Sequence, residues 1–243
     1  MRSIISNPYI ILELKMIFRN KKPQQNFYQI VTIYVIMVFM LLYINNSSVL
    51  SNFTSPLFSV IISILCGIFM YLHGLFLLTW ESTFFEGLNT LNINILSFLK
   101  AKFWLLLLSM ITLLFTNTIL LLIINVNLIY PLFAITSLNI GISSFLVIIY
   151  SLYNNERAEL NKSIFLNHEG YGFWQYLFMM ALIAFPTLII MLLNSFFSYN
   201  YVYALLMFIG MFSLTLSKYW FRIILAIYIK RKYIILNKFN EKV

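Results

Sequence analysis

The sequence predicts an all-α integral membrane protein with six transmembrane helices and both ends in the cytoplasm. Of its 243 residues, 62% are apolar and only 9% are charged, whereas soluble domains carry about 25% charged residues. A water-soluble globule of this length cannot hide so much apolar surface, because a large part of any globule stays exposed. The composition therefore excludes a soluble enzyme, a disordered chain, a collagen and a nucleic-acid-binding domain.

Six apolar blocks approach the roughly 20 residues that a membrane-spanning helix needs. Solid apolar blocks favour helices, because the strands of a membrane barrel alternate polar and apolar residues. Pro186 is expected to kink the fifth span, and Asn117 and Asn139 are expected to hydrogen-bond between helices. We expect one transmembrane domain over residues 1–243, with spans at 28–43, 57–80, 103–124, 132–150, 176–193 and 201–217.

The basic residues predict the orientation of the spans. All 16 Lys and Arg residues lie before the first span, between spans two and three, between spans four and five, or after the sixth. The other three connections carry no charge. By the positive-inside rule, both termini face the cytoplasm and residues 218–243 form a basic cytoplasmic tail. The net charge of +9 is then explained by anionic lipid, and no nucleic-acid partner is expected.

The first 25 residues contain a predicted helix that lies in the membrane interface. Asn7 caps it and Pro8 occupies its first turn. Helical spacing puts Glu13, Lys15 and Arg19 away from the apolar side. A plain membrane-surface anchor is the favoured interpretation of this segment. Its apolar side consists of Ile10, Ile11, Leu14, Ile17 and Phe18.

The loop after the second span combines acidic and aromatic residues. A short helix here would present Phe84, Phe85 and Leu88 as an apolar knob, with Glu81 and Glu86 at its rim. Such a knob fits a hydrophobic groove on a cytoplasmic protein, with the charges setting the register. An interfacial helix whose phenylalanines dip into lipid is an equally good interpretation.

The most polar stretch of the chain, residues 153–174, lies between spans four and five. It contains Glu156, Arg157, Glu159 and His168. The first three side chains are able to pair with one another in water, where such pairs contribute little. A partner-binding role is the alternative.

No catalytic signature is present. The chain lacks a phosphate-binding loop ending in Gly-Lys-Ser/Thr, a His-Glu-x-x-His zinc motif and a Gly-x-Ser-x-Gly elbow. The lone Cys66 has no base near it in the sequence. We expect no enzyme, no catalytic residue, and no cofactor or metal site. A packing role is preferred for His73, and Lys218 and Arg222 are expected to reach the membrane surface rather than line a pathway, although the sequence leaves all three open.

The predicted organisation resembles an ABC-2-type permease. Three stretches carry a more specific resemblance: residues 12–23, 79–88 together with 99–102, and 155–163. With the ending at residues 228–233, which also looks similar, they resemble a bacterial family of ABC-permease-like membrane proteins. Members of that family are about twice as long, and this chain resembles their C-terminal half.

The resemblance implies the transmembrane subunit of an exporter in the bacterial inner membrane. A separate ABC ATPase chain would bind ATP and Mg²⁺, and a second copy or a homologous permease would complete the unit. A cytoplasmic coupling helix would then lie between spans two and three. The resemblance implies coupling contacts at Glu81, Phe84, Phe85, Glu86 and Leu88, and a second set at Glu156, Arg157, Glu159 and His168.

Two other classes of function stay open on the sequence. A non-transporting scaffold that anchors a cytoplasmic partner explains the same topology. An intramembrane enzyme would have only His73 and a few inner glutamates to act with. The cargo, the direction of transport and the choice between homodimer and heterodimer are left open.

Overall fold

A computed structural model of the chain describes residues 8–46, 56–90, 93–154, 156–161 and 172–240. The described part is mainly helical and contains no strand. Five helices are long and apolar enough to cross a membrane, and a bent pair of helices supplies a sixth candidate span. The protein is a multi-pass membrane protein. The prediction of an all-α membrane fold is confirmed.

The helices follow one another with short connections. We number them in chain order: α1 Pro8–Arg19, α2 Lys21–Asn46, α3 Pro56–Gly74, α4 Phe85–Thr90, α5 Ile95–Ile124, α6 Ile129–Leu138, α7 Ser144–Ser151, α8 Phe173–Asn194, α9 Tyr199–Thr215 and α10 Ser217–Asn240. Short 3₁₀ turns lie at Thr79–Glu81 and Val126–Leu128, and a π-helical turn at Asn139–Ser143 joins α6 to α7.

Local chemistry accounts for several of these boundaries. Pro8 begins α1, since proline needs no hydrogen-bond partner for its nitrogen in a first turn. Asn94 caps α5, because its side-chain oxygen accepts a hydrogen bond from the Ser97 amide at 3.2 Å. The helix α8 runs through Pro186 without a break. A bend of 62° separates α9 from α10, so the sixth candidate span turns where the prediction ended it.

Helix α3 is the centre of the bundle. In its most apolar stretch 83% of the residues are buried, compared with 17% in α2 and α5 and 22% in α8. It packs against α2, α5, α6, α7 and α8. The continuous segment of α6, the π turn and α7 is the next most buried, at 67%. The remaining helices expose long apolar side chains, as lipid contact requires.

Buried polar side chains connect the helices inside this core. Tyr34 on α2 donates a hydrogen bond to Asn117 on α5 at 2.8 Å, and the Asn117 amide donates to a carbonyl on α3. Tyr71 on α3 donates to Asn139 at 3.1 Å. The prediction that both asparagines bond between helices is confirmed. Such bonds satisfy polar groups that would otherwise lie unpaired in an apolar interior.

Two glycines make a close crossing between α9 and the segment of α6 and the π turn. A methyl group on Gly210 of α9 would collide with the carbonyl of Ser137 and lie 2.7 Å from the Leu138 amide nitrogen. A methyl group on Gly141 would lie 2.8 Å from the Gly210 Cα. Ser213 stabilises the crossing, because its hydroxyl donates a hydrogen bond to the Gly141 carbonyl at 2.6 Å. The absence of side chains at these two positions lets the backbones touch.

Candidate interaction surface

Segments from distant parts of the chain meet at one end of the bundle. This end contains α1, residues 79–90, the start of α5, residues 152–154 and 156–161, and α10. The Lys22 amide donates to the Leu160 carbonyl at 2.9 Å, and the Arg231 guanidinium donates to the Leu152 carbonyl at 3.1 Å. These bonds hold the polar connections against the helices, so the end is one packed surface.

The predicted knob is only partly exposed. Phe84 has 42% of its surface exposed, and Glu86 beside it is also exposed. Phe85 is 1% exposed and packs edge-on against Phe239 of α10, with ring centres 5.5 Å apart. The expectation of two exposed phenylalanines is therefore wrong for Phe85, because neighbouring residues on so short a helix point to different sides. Leu88 is half-buried.

The second polar segment lies directly against the first. The Ser82 hydroxyl donates to the Ala158 carbonyl and accepts from the Ala158 amide, both at 3.1 Å. Asn154 donates to the Thr79 hydroxyl at 2.9 Å and accepts from Gln175 at 2.8 Å. Backbone groups in the loop are thereby satisfied by side chains of the first segment. The two segments that the sequence singled out separately form one site.

A polar pocket of about 190 Å³ opens between these segments and α10. Arg157 is half-buried at its wall and donates to the Phe239 carbonyl at 3.1 Å. Glu156 is half-buried, its amide donating to the Asn154 side chain at 3.1 Å, and Glu159 is exposed. His168 lies outside the described residues. The pocket is lined by Ser82, Thr83, Phe85, Glu86, Arg157, Leu236, Phe239 and Asn240.

Glu81 does not lie at the rim of a knob. It is buried, and its carboxylate accepts a hydrogen bond from the ammonium group of Lys102 at 2.8 Å. The same ammonium group donates to Glu13 at 2.5 Å and to the Leu77 carbonyl at 3.0 Å. We call Glu13, Glu81 and Lys102 the buried charge cluster. The expectation of a rim position is wrong for Glu81, because its carboxylate is buried and pairs with a cation, Lys102, that also lies beneath the surface.

Three other ionisable residues have defined places. His73 is fully buried between the rings of Phe69, 4.8 Å away, and Trp80, 5.9 Å away. Lys218 and Arg222 are exposed on the first turns of α10. Neither basic residue faces the interior of the bundle. Among the described residues, no three His, Cys, Asp or Glu side chains group together as a metal site requires.

Comparison with known proteins gives a family. The model of a family of unknown function, DUF5687, matches residues 6–242. The chain belongs to the DUF5687 family. No curated protein and no solved structure matches it. The match spans nearly the whole chain, so the buried charge cluster and the candidate surface both lie within the residues that the family model covers.

Sequence reasoning missed the buried charge cluster of this DUF5687 protein. Glu13 was expected on the polar side of α1, and that expectation is wrong, because it is buried with Ile10 and Ile17. The spacing of these three residues was the available signal, since positions three and four apart share one side of a helix. Lys102 was expected among the basic residues of the cytoplasmic connection between spans two and three. It is 1% exposed, which no local pattern indicates.

Proposed function

We propose that this DUF5687 protein is the transmembrane subunit of an ABC-2-type exporter. A separate ATPase chain would hydrolyse ATP, and the end of the bundle described above would receive that chain. A second copy or a homologous subunit would complete the transport path. The protein would lie in the bacterial inner membrane with both termini in the cytoplasm, since that orientation puts its basic connections and α10 on the side of the anionic lipid.

The observation that carries the proposal is the joining of two connections into one surface. Residues 79–90 and 152–161 are far apart in sequence, yet Ser82 and Ala158 bond them together. Coupling to an ATPase requires a rigid element that moves as a unit when the partner changes shape. A loop tied to a second loop and to α10 meets that requirement better than a lone flexible loop.

The composition of the surface supports recognition of a protein partner. The exposed Phe84 offers an apolar anchor, and Glu86 beside it and the half-buried Arg157 carry opposite charges. A central aromatic side chain with charged neighbours is typical of protein-binding surfaces. In the revised coupling surface, Phe84, Glu86, Arg157 and Glu159 face the partner. Glu81 and Phe85 support the surface from beneath.

The experiment is a purification of the tagged chain from its native membrane, followed by identification of the proteins that accompany it. We expect an ATPase chain at comparable abundance, and we expect the double variant Phe84→Ser, Glu86→Lys to lose it. The matched control is Tyr233→Ser, Lys230→Glu, which changes an exposed aromatic and an exposed charge on α10. Equal recovery of the ATPase with both double variants would contradict the proposed surface.

A second candidate function is a non-transporting scaffold that uses the same surface to anchor a cytoplasmic partner. It is favoured by the same joined loops, which need not move to serve as an anchor. Recovery of a stoichiometric partner without ATPase activity would support the scaffold and contradict the exporter. Stimulation of the ATPase by the wild-type chain, but not by the Phe84→Ser, Glu86→Lys variant, would support the exporter.

A further inference from the structure

The buried charge cluster contains more negative than positive charge. Lys102 on α5 is the only cation that forms an ion pair with Glu13 or Glu81 among the described residues. All three groups are almost fully buried. Burying an uncompensated charge costs far more than burying a neutral polar group, even when hydrogen bonds are present. Two ionised carboxylates beside one ammonium group would leave such a charge.

The buried charge cluster also has too few hydrogen-bond donors for its acceptor oxygens. The three N–H groups of Lys102 are used by Glu13, Glu81 and the Leu77 carbonyl. The second oxygen of each carboxyl group is buried and accepts no hydrogen bond from any N–H or hydroxyl group in the described part of the chain. An ionised carboxylate offers no donor of its own. The two carboxyl groups nevertheless lie side by side, because both accept from the same ammonium nitrogen, Glu13 at 2.5 Å and Glu81 at 2.8 Å.

The neighbouring groups do not supply the missing positive charge. His73 on α3 lies close enough to Lys102 for an electrostatic interaction between the two side chains. Neither ring nitrogen of His73 has a hydrogen-bond partner among the described residues. A cationic imidazole there would be repelled by Lys102 and unpaired. Tyr228 on α10 lies near Glu81 but carries no positive charge. The ring of Phe98 lies 4.7 Å from the Lys102 nitrogen and is neutral.

We propose that the buried charge cluster is a proton-binding site, in which Glu13 and Glu81 share one proton. The proton makes the cluster neutral, and the carboxyl group that carries it donates to the free oxygen of the other. No bond other than O–H is formed or broken. The inference does not depend on the exporter proposal, because it rests on the charges and donors of the cluster alone.

The position of the site gives the proton a structural consequence. Glu13 lies on α1, Glu81 on the turn before α4, and Lys102 on α5. The shared proton therefore joins α1 to the elements beneath the interaction surface. Its loss would set two carboxylates in competition for one ammonium group and weaken the attachment of α1, since like charges in contact repel strongly in a buried site.

Infrared spectroscopy of the purified protein tests the proposal through the carbonyl stretch of a protonated carboxyl group. The background is low, because the chain has only seven acidic residues, all of them glutamates. We expect a band equivalent to about one carboxyl group per chain at neutral pH. It should shift in heavy water and disappear in Glu13→Gln and in Glu81→Gln, since each variant leaves a single carboxylate paired with Lys102. The matched control, Glu86→Gln, removes an exposed glutamate and should keep the band.

Folding of the variants provides a second readout. Glutamine imitates a protonated carboxyl group in size and supplies an N–H donor, so each single variant should fold and melt close to the wild type. The double variant Glu13→Gln, Glu81→Gln leaves Lys102 unpaired and should lose most of its folded yield. The proposal is overturned by a wild-type spectrum without the band, by a band that persists in both single variants, or by failure of both single variants to fold.

Discussion

The crossing of α9 over the α6–π segment predicts a large effect from one methyl group. In Gly210→Ala the new Cβ would collide with the Ser137 carbonyl and lie 2.7 Å from the Leu138 nitrogen. Carbon atoms in contact prefer separations of about 3.5–4.0 Å, so the two helices must move apart by roughly 1 Å. Both obstructing groups are backbone atoms of a buried helix, and no side chain is able to rotate out of the way.

The free-energy loss follows from that movement. Overpacking of a tight core costs about 1–3 kcal/mol. The hydrogen bond from Ser213 to the Gly141 carbonyl, 2.6 Å long, would stretch and forfeit about 0.6 kcal/mol, a typical value for bonds between membrane helices. Alanine recovers about 0.5–1 kcal/mol of that loss through its better helix propensity, so we expect Gly210→Ala to reduce the free energy of unfolding by about 1–3 kcal/mol.

Thermal denaturation in a mild detergent measures this effect, with the folded fraction followed by size-exclusion chromatography. The matched control is Gly87→Ala on α4, where a new methyl group meets no atom within 4 Å. Alanine is favoured over glycine inside a helix by about 0.5–1 kcal/mol, so the control should melt at or above the wild-type temperature. A Gly210→Ala variant that melts with the wild type would refute the reasoning from close backbone contact.

Three further predictions concern single positions. Phe85→Ala should lower the free energy of unfolding by about 3–5 kcal/mol because a buried ring is removed. Phe84→Ala should change the melting temperature little and reduce partner recovery. Equal melting temperatures of the two variants would contradict the assigned burial. Tyr34→Phe removes the donor to Asn117 and should lower stability by about 1 kcal/mol in the same denaturation assay. Cys66 is fully buried, so it should react with a maleimide only after denaturation. Rapid labelling in native membranes would show that the reagent reaches this part of α3 in the folded protein.

Much of the fold was predictable because membrane segments carry their signal locally. A span must be apolar along its whole length, so each of the six blocks is visible without knowledge of its neighbours. Lys218 marks the predicted end of the sixth span, because a charge lies where a span has to stop, and the bend between α9 and α10 falls at that end. The candidate site was less predictable. Phe84 and Phe85 look alike in sequence, and only the position of Phe239 on α10 decides which of them is buried.

The sequence by itself determined that this protein is a helical membrane protein, where its apolar segments lie, and which connections are polar. These properties follow from the free energy of transferring each segment from water to lipid, which depends on the residues of that segment alone. Only the tertiary structure decided that Glu13, Glu81 and Lys102 are buried together, that two connections form one surface, and that Gly141 meets Gly210. Contacts of this kind depend on how helices pack, and packing is a property of pairs of distant residues that no single segment contains.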